Sequence, residues 1–384
     1  MSSLGVYIHI PYCLQRCTYC DFATYVHTEI RPPQEYVALV KKEIHNKRNL
    51  FGPKELQTIY FGGGTPSLID ANLIADLIRE LSASGFKTGP DTEITLEINP
   101  ATVDEKKLEI YLRAGINRFS VGAQSFSDRL LKMVHREHNA QQTKDTLALL
   151  RKYNLNFSFD LLFALPTQTL DELKYDVEIA VELGSKHISP YCLTVPEGHP
   201  LSKNRPLEDE QIEMFEIIHR ALKDHGQQRY EISNYSNPGF ESKHNLLYWT
   251  DQEYWGLGLS AHSYSKDPTW GSRFWNLNSI DLYARQIESG IALPNEQLEL
   301  LEKHQALTDF SHTSLRLSEG LSVEKLVKKF GSNTLELIEN SAKSLVQHGL
   351  LRFENNHYQL TQKGILISNQ VFEKFTYLKN DLSS

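Results

Sequence analysis

The sequence predicts an α/β fold: a partial, open-sided (β/α)6 barrel followed by a small C-terminal α+β domain of winged-helix-like type. Three observations lead there. Strand-like apolar runs alternate with amphipathic helical stretches six times between residue 6 and about residue 225. Such alternation makes a parallel sheet with right-handed crossovers. The strand runs read as nearly continuously apolar, as expected where helices cover a sheet. Six units fall short of the eight that close a full barrel.

Taken in order, Val6–Pro11 is apolar and β-branched, and Gln34–Leu50 is an amphipathic helix through Val37, Val40 and Ile44. Thr58–Phe61 is a strand ending on Gly62-Gly63-Gly64-Thr65-Pro66, with a helix over Asn72–Leu81. Glu93–Ile98 has period two and stops at Asn99-Pro100; Asp104–Ala114 is helical. Arg118–Val121 is a strand, with helical stretches from there to Tyr153. Phe157–Leu165 is a strand ending at Pro166, and Leu170–Leu183 the helix behind it. His187–Val195 is the sixth strand and Glu208–Asp224 its helix. Active residues on such folds gather at the C-terminal ends of the strands. The loop after the first strand, the glycine run, Glu97, Gln124 and the Pro166 turn should therefore converge on one rim.

Three segments follow from composition. Residues 1–236 form the barrel core, and 237–296 an aromatic-rich connecting segment. Residues 297–384 form a helical module closed by a hairpin over Leu350–Thr361, turning on Asn355-Asn356. Forty basic against 48 acidic residues, net −8, without a Lys/Arg stripe, disfavour a nucleic-acid surface. No apolar run reaches the ~20 residues that cross a bilayer. The N-terminal stretch has no charged region followed by an apolar one, so no export signal is expected. A cytoplasmic protein is the expectation.

The most informative residues are Cys13, Cys17 and Cys20, three of only four cysteines, within eight residues. An all-thiolate set suits an iron–sulfur cluster or zinc. A [4Fe–4S] cluster normally takes four cysteines, so three would leave one iron open to another ligand. Zinc completed by His9 or His27 is the alternative, although a second Cys-x-x-Cys knuckle is missing. A disulfide framework does not suit three cysteines plus a distant one. Cys192, in an apolar strand-like run, reads as a small core residue rather than a fourth ligand.

Together these motifs resemble the radical S-adenosylmethionine (SAM) superfamily: Cys13-x-x-x-Cys17-x-x-Cys20 after a first strand, Gly62-Gly-Gly-Thr-Pro66 after a second, Glu97 after a third. Tyr7-Ile-His-Ile-Pro11, Glu97-Ile-Asn-Pro100, Val121-Gly-Ala-Gln-Ser-Phe126, Asp160-Leu-Leu-Phe-Ala-Leu-Pro166 and Tyr230-Glu-Ile-Ser-Asn234 are similar to its oxygen-independent coproporphyrinogen III oxidase-like branch, and there to the HemW-type haem chaperones. The resemblance spans nearly the whole chain. It implies a radical SAM barrel in which Cys13, Cys17 and Cys20 hold the cluster. The open iron would chelate the amino and carboxylate groups of SAM. Gly63, Gly64 and Thr65 would line the methionine end, where side chains would collide with the cofactor. Glu97, Gln124, Arg136 and Asp160 would supply polar contacts, and Tyr7 and Tyr19 would flank cluster and adenosine.

Two features bear on the branch. The decarboxylating oxidases carry a further cysteine two residues past the third ligand, where this chain has Phe22, and the chain starts only a few residues before its first strand. Both weigh against decarboxylation of coproporphyrinogen. His244-Asn-Leu-Leu-Tyr-Trp249 matches the HNxxYW motif associated with haem in the chaperone branch. A neutral imidazole is a common haem ligand, which makes His244 the candidate and His262 its competitor; a packed domain junction would show the same aromatic composition. The implied function is a haem chaperone, with haem or a related tetrapyrrole as ligand, a haem-acceptor protein, and a reductant such as flavodoxin or ferredoxin as partners. Oxidative decarboxylation of coproporphyrinogen III, or another radical SAM modification of a tetrapyrrole, is the alternative.

Overall fold

Six parallel strands in sequence order form the middle of one sheet: β1 (Leu4–Ile10), β2 (Lys54–Gly63), β3 (Phe86–Ile98), β4 (Arg118–Gln124), β5 (Asn156–Phe163) and β6 (His187–Cys192). The computed structural model describes residues 4–382. The ends of the first and third sequence segments, and the first residues of the stretch read for an export signal, lie outside the described residues. Helices cross between the strands: α1 (Pro33–Lys47), α2 (Ala71–Ala83), α3 (Glu105–Arg113), α4 (Asp128–Met133), α5 (Ala140–Lys152), α6 (Leu170–Glu182), and α7 (Glu208–Asp224) after β6. Capping boxes open α5 (Asn139 with Gln142) and α6 (Thr169 with Glu172), each satisfying backbone N–H groups the helix leaves unpaired.

The strands are two-faced rather than apolar throughout, which corrects the sequence reading. Gly5, Tyr7 and His9 of β1 stand in register with Thr58, Tyr60 and Gly62 of β2. The same face continues through Thr95 and Glu97, Ser120, Ser158 and Asp160, whereas the alternate positions Val6, Ile8, Ile59, Phe61, Leu96 and Phe159 are fully buried in the main apolar core. The apolar face lies in the main core, while the other carries polar groups and meets α8 (Lys243–Trp249) at Gly5, Thr58 and Tyr60.

Residues 237–296 are not a connector. They add α8 (Lys243–Trp249), α9 (Ile280–Ser289) and three strands, β9 (Glu253–Leu257), β10 (His262–Ser265) and β11 (Ser272–Trp275). With β7 (Gln228–Glu231), β8 (Asn234–Ser236) and β12 (Leu298–Leu300), the strand order is β12-β11-β10-β9-β1-β2-β3-β4-β5-β6-β8-β7. β9 runs parallel to β1, and its Trp255 is fully buried in the main core. These strands are four or five residues long and rich in Gly, Ser, Tyr and Trp, so they lack the apolar period that marks a strand in sequence. The sheet's edges, β12 and β7, do not pair with each other, and the barrel stays open.

The C-terminal domain carries α10 (Lys303–Arg316), α11 (Val323–Phe330) and α12 (Leu335–Gln347). It also has a three-stranded sheet of β13 (Leu321–Ser322), β14 (Leu351–Glu354) and β15 (His357–Leu360), in the order β13-β15-β14. Asn355 and Asn356 make the β14–β15 turn with φ of +50° and +64°, a conformation asparagine tolerates. Leu307, Phe310, Leu326, Phe330, Ile338 and Phe375 belong to its separate core. It docks on the barrel through a bridge between Leu317 and Glu231 of β7, an Arg316–Glu231 ion pair at 3.1 Å and a Lys329–Asp251 pair at 2.6 Å. Among the described residues no helix is long and apolar enough to cross a membrane.

Candidate cluster and cofactor cleft

The polar face of the sheet ends at a cleft of about 450 Å³ on the rim formed by the C-terminal ends of β2 to β6. The cysteine loop closes one side. After β1, Tyr12–Cys13 pairs with Tyr25–Val26, and Cys20 N–H donates to Cys17 O at 3.2 Å in a tight turn. His9 fixes the loop's return through a 2.8 Å bond to Ala23 O, and His199 holds Thr18 O at 2.9 Å from the opposite side. Cys13, Cys17 and Cys20 are free thiols facing the cleft. Burial pushes the Cys13 and Cys20 thiols up, so binding a metal there would release protons.

The glycine run locks onto that loop. Gly64 N–H donates to Ile10 O at 2.8 Å and Thr65 N–H to Tyr12 O at 2.7 Å. A Cβ on Gly64 would lie 2.6 Å from Tyr12 O and 3.0 Å from Cys13 Sγ, so only glycine lets the two segments touch. Gly63, at φ +114°, aims its N–H at Glu97 Oε2, 3.1 Å away.

Glu97 also accepts from Tyr60 Oη at 2.8 Å. Its carboxyl is raised to about 7, chiefly by burial, with Asp160 adding to the rise. Asp160 is raised to about 6, again by burial, against the pull of Arg118. Among the described residues neither carboxyl has a cation within 4.0 Å, although Arg118 and Arg136 act on Asp160 from farther off, which suits a ligand ammonium or sugar hydroxyls. Arg136 sits across the cleft: it donates to Cys17 Sγ at 3.5 Å, to Asn99 Oδ1 at 2.9 Å and to Gly122 O. Gln124 reaches the cleft through an irregularity in β4, where its own φ is +68°. Tyr19 completes the wall.

The cleft therefore brings together Cys13, Cys17, Cys20, Tyr19, Gly63, Gly64, Thr65, Glu97, Gln124, Arg136 and Asp160. It does not include Tyr7 or His244. Tyr7 lies beneath it, its hydroxyl 3.1 Å from His9 Nδ1 and its ring stacked on Tyr60 at 6.1 Å. His244 stands on α8 at the opposite end of the sheet, 1% exposed. Its Nδ1 is 2.6 Å from Thr58 Oγ1, its Nε2 2.9 Å from Tyr248 Oη, and its ring stacks on Tyr60 at 5.0 Å. Burial lowers it to about 3 and keeps it neutral. Both ring nitrogens are thus engaged within the protein, and the ring lies outside the cleft. The neighbouring Trp249 instead carries the Arg316 guanidinium at 4.3 Å, an interdomain contact. His262 is exposed and stacked on Trp275, away from the cleft.

Zinc fits less well. His9 is held by Tyr7 and Ala23, His27 is exposed, and neither lines the cleft. Among the described residues no three His, Cys, Asp or Glu side chains converge as one metal ion would require, while the three thiols share the cleft and sense one another's charge. Sequence reasoning gave no site role to Asn99, Ser120 or the exposed rim residue Tyr191; Phe22 and Cys192 are exposed on the same rim. Cys192 is thus not a core residue; it faces the cleft, 3.9 Å from an Arg205 nitrogen. Its place at the end of β6 was the available signal.

This arrangement of a half-open parallel sheet with three thiols beside a glycine turn defines a radical SAM protein, and the radical SAM superfamily description matches residues 7–180. The description of the HemN C-terminal domain matches residues 301–367. In fold the chain is similar to coproporphyrinogen III oxidase (HemN) from Escherichia coli, a radical SAM enzyme: TM-score 0.83, 21% identity, 98% of this chain and 90% of that one. The heme chaperone HemW of Lactococcus lactis subsp. lactis (strain IL1403) is 34% identical over 97% of each chain. That of Bacillus subtilis (strain 168) is 32% identical over 97% of this chain and 98% of its own. That of Escherichia coli (strain K12) is 39% identical over 68% and 70%. The chain belongs to the HemW family of radical SAM proteins. Membership of the superfamily implies a [4Fe–4S] cluster and SAM, and the free thiols, the glycine cradle and the unpaired carboxyls fit both.

Proposed function

We propose that this chain is a haem chaperone of the cytoplasm that carries a [4Fe–4S] cluster and SAM and passes haem to an acceptor protein. The observation that carries the reading is similarity along the whole chain to proteins named heme chaperone. In this reading Cys13, Cys17 and Cys20 hold the cluster, which when bound supplies an open iron and an electron. Gly63, Gly64 and Thr65 pass close to the methionine end of SAM. Glu97 and Asp160 accept from its amino and hydroxyl groups, Gln124 adds a polar contact, and Tyr19 covers the cluster. Arg136 donates to Cys17 Sγ, stabilising charge on that sulfur. A reductant such as flavodoxin or ferredoxin supplies the electron. No residue is assigned a catalytic role.

The second reading is oxidative decarboxylation of coproporphyrinogen III; the shared fold favours it, and Phe22 at the cleft mouth, 63% exposed where the oxidases carry a thiol, opposes it. Anaerobically reconstituted protein, titrated with haem and separately incubated with coproporphyrinogen III, SAM and dithionite, decides. Stable haem uptake without turnover is the expected result. Turnover without haem uptake replaces the chaperone by the oxidase.

A further inference from the structure

β4 departs from regular strand geometry just where it meets the cleft. Val121 is in register with Phe159 of β5 and Gln124 with Leu161, so three steps along β4 match two along β5, and β4 carries one extra residue. Such a bulge re-aims a side chain, and bulges gather beside active sites. Gln124 holds the left-handed region at φ +68° and lines the cleft. A residue with a Cβ occupies that region at a cost and keeps it only where its surroundings over-determine it.

Three side chains supply that constraint. Ahead of Gln124, Gly122 O accepts from Arg136, and Ala123 O accepts from His138 Nε2 at 3.0 Å. Behind it, the two oxygens of one carboxylate close on the chain. Ser125 Oγ donates to Asp176 Oδ2 at 2.7 Å, and the Phe126 N–H donates to Asp176 Oδ1 at 2.6 Å. Ser127 N–H donates to the same Ser125 Oγ at 3.0 Å, and the Phe126 ring stacks on Phe159 at 5.1 Å. Asp176 belongs to α6, which packs into the main core through Leu173 and Val177, and it is fully buried. It does not line the cleft. A buried carboxylate stripped of its hydrogen bonds is costly, so the acid is a stiff restraint on the two residues that satisfy it. Arg136 and His138 grip the strand before the bulge; Asp176 fixes where the chain goes after it.

We propose that Asp176 is a positioning residue for the cofactor: from the core side of the sheet it holds the Ser125–Phe126 turn, and through that turn it keeps the Gln124 amide aimed at bound SAM. The proposal rests on the reading in which Gln124 contacts SAM, and it adds a residue that lies outside the cleft altogether.

The test measures SAM affinity of the anaerobically reconstituted full chain at pH 8, where the Asp176 carboxyl, raised by burial to about 6, is ionised and accepts at both oxygens. The readout is the change in the electron paramagnetic resonance signal of the reduced cluster with SAM concentration, beside iron and sulfide content. Asp176→Ala should weaken SAM roughly tenfold, the scale of one lost polar contact, with iron unchanged. Asp176→Asn should stay within about twofold, because the amide oxygen can accept from Phe126 N–H while its NH2 donates to Ser125 Oγ. Gln124→Ala should weaken SAM at least as much as Asp176→Ala, and combining the two should add nothing further. Ser125→Ala, which opens one of the two bonds, should weaken SAM about threefold, again only while Gln124 is present; it decides the matter if Asp176→Ala does not fold. Equal losses with and without Gln124 overturn the proposal, since the acid then acts on the fold at large. Undiminished affinity in Asp176→Ala or in Gln124→Ala overturns it too. An unaltered chain whose cluster ignores SAM overturns the cofactor reading itself, and the role of Asp176 with it.

Discussion

The two ends of this sheet carry similar residues in opposite states. At the rim, three thiols are free, two carboxyls lack a close cation and an arginine bridges the loops. At the other end, His244 has both nitrogens engaged, and Glu93 accepts the backbone N–H groups of Lys243 and His244 at 3.1 Å each while facing Arg118 at 3.9 Å. Both ends hold groups that can ligate or titrate, but the thiols at the rim are free while the His244 ring is held at both nitrogens. Unspent capacity distinguishes a site from a scaffold, because buried polar groups are ordinarily satisfied.

The largest break of that comparison is at the rim. Cys17→Ala should eliminate the cluster: iron and sulfide near zero and no brown absorbance after reconstitution, with the far-UV spectrum unchanged because Cys17 is half-buried in a loop. A full cluster in that variant would remove the ligand assignment. At the floor the same kind of substitution should do the reverse. His244→Ala leaves Thr58 and Tyr248 hydroxyls unpaired and a void against Tyr60 and Gly5, costing about 3 kcal/mol in denaturant unfolding, with iron content unchanged. Loss of iron without loss of stability would show that the two ends are not separate.

A smaller effect comes from the cleft carboxyls. Glu97 moves from an ordinary 4.5 to about 7 on folding, so the native state holds its proton where the unfolded chain has lost it. The resulting stability is present in full below pH 4.5 and is lost as pH rises to about 7. Asp160 acts with the same sign between 3.8 and about 6. Cluster-free protein should therefore lose stability from pH 5 to pH 8 relative to Glu97→Gln, by roughly 2 kcal/mol. Parallel melts of the two proteins across that range check it; a constant difference would mean that Glu97 is ionised throughout.

Much of this was legible in the chain. The six parallel strands, their order and the rim converged because strand–helix alternation is a strong signal, and α7 was placed at Glu208–Asp224. The cleft followed from topology: residues just past strand ends share a rim whatever their sequence separation. Residues 253–275 were illegible because strands this short carry too few positions to display a period. The surroundings of His244 were illegible because a motif reports residue identity and spacing, while its bonds to Thr58 and Tyr248 depend on the fold bringing them to the ring. Asn99 escaped notice because its role depends on Arg136 reaching back across 37 residues.

The smallest expected effect is the sharpest test of the rim. Cys192 lies on the cleft wall with the three loop cysteines, so the structure supplies a fourth thiol to the same space. That thiol already has neighbours: Arg205 at 3.9 Å, and Gln211 Oε1, to which it donates at 3.7 Å. It also sits on β6, a rigid element, rather than on the loop that presents the others. A four-cysteine cluster would have no open iron, and the glycine cradle and unpaired carboxyls beside it would then face a closed centre. Cys192→Ala should leave iron and sulfide per chain unchanged within error, and SAM should still perturb the electron paramagnetic resonance signal of the reduced cluster. A fall in iron, or a SAM response that appears only in the variant, would make Cys192 a ligand and turn the rim into a closed electron-transfer centre.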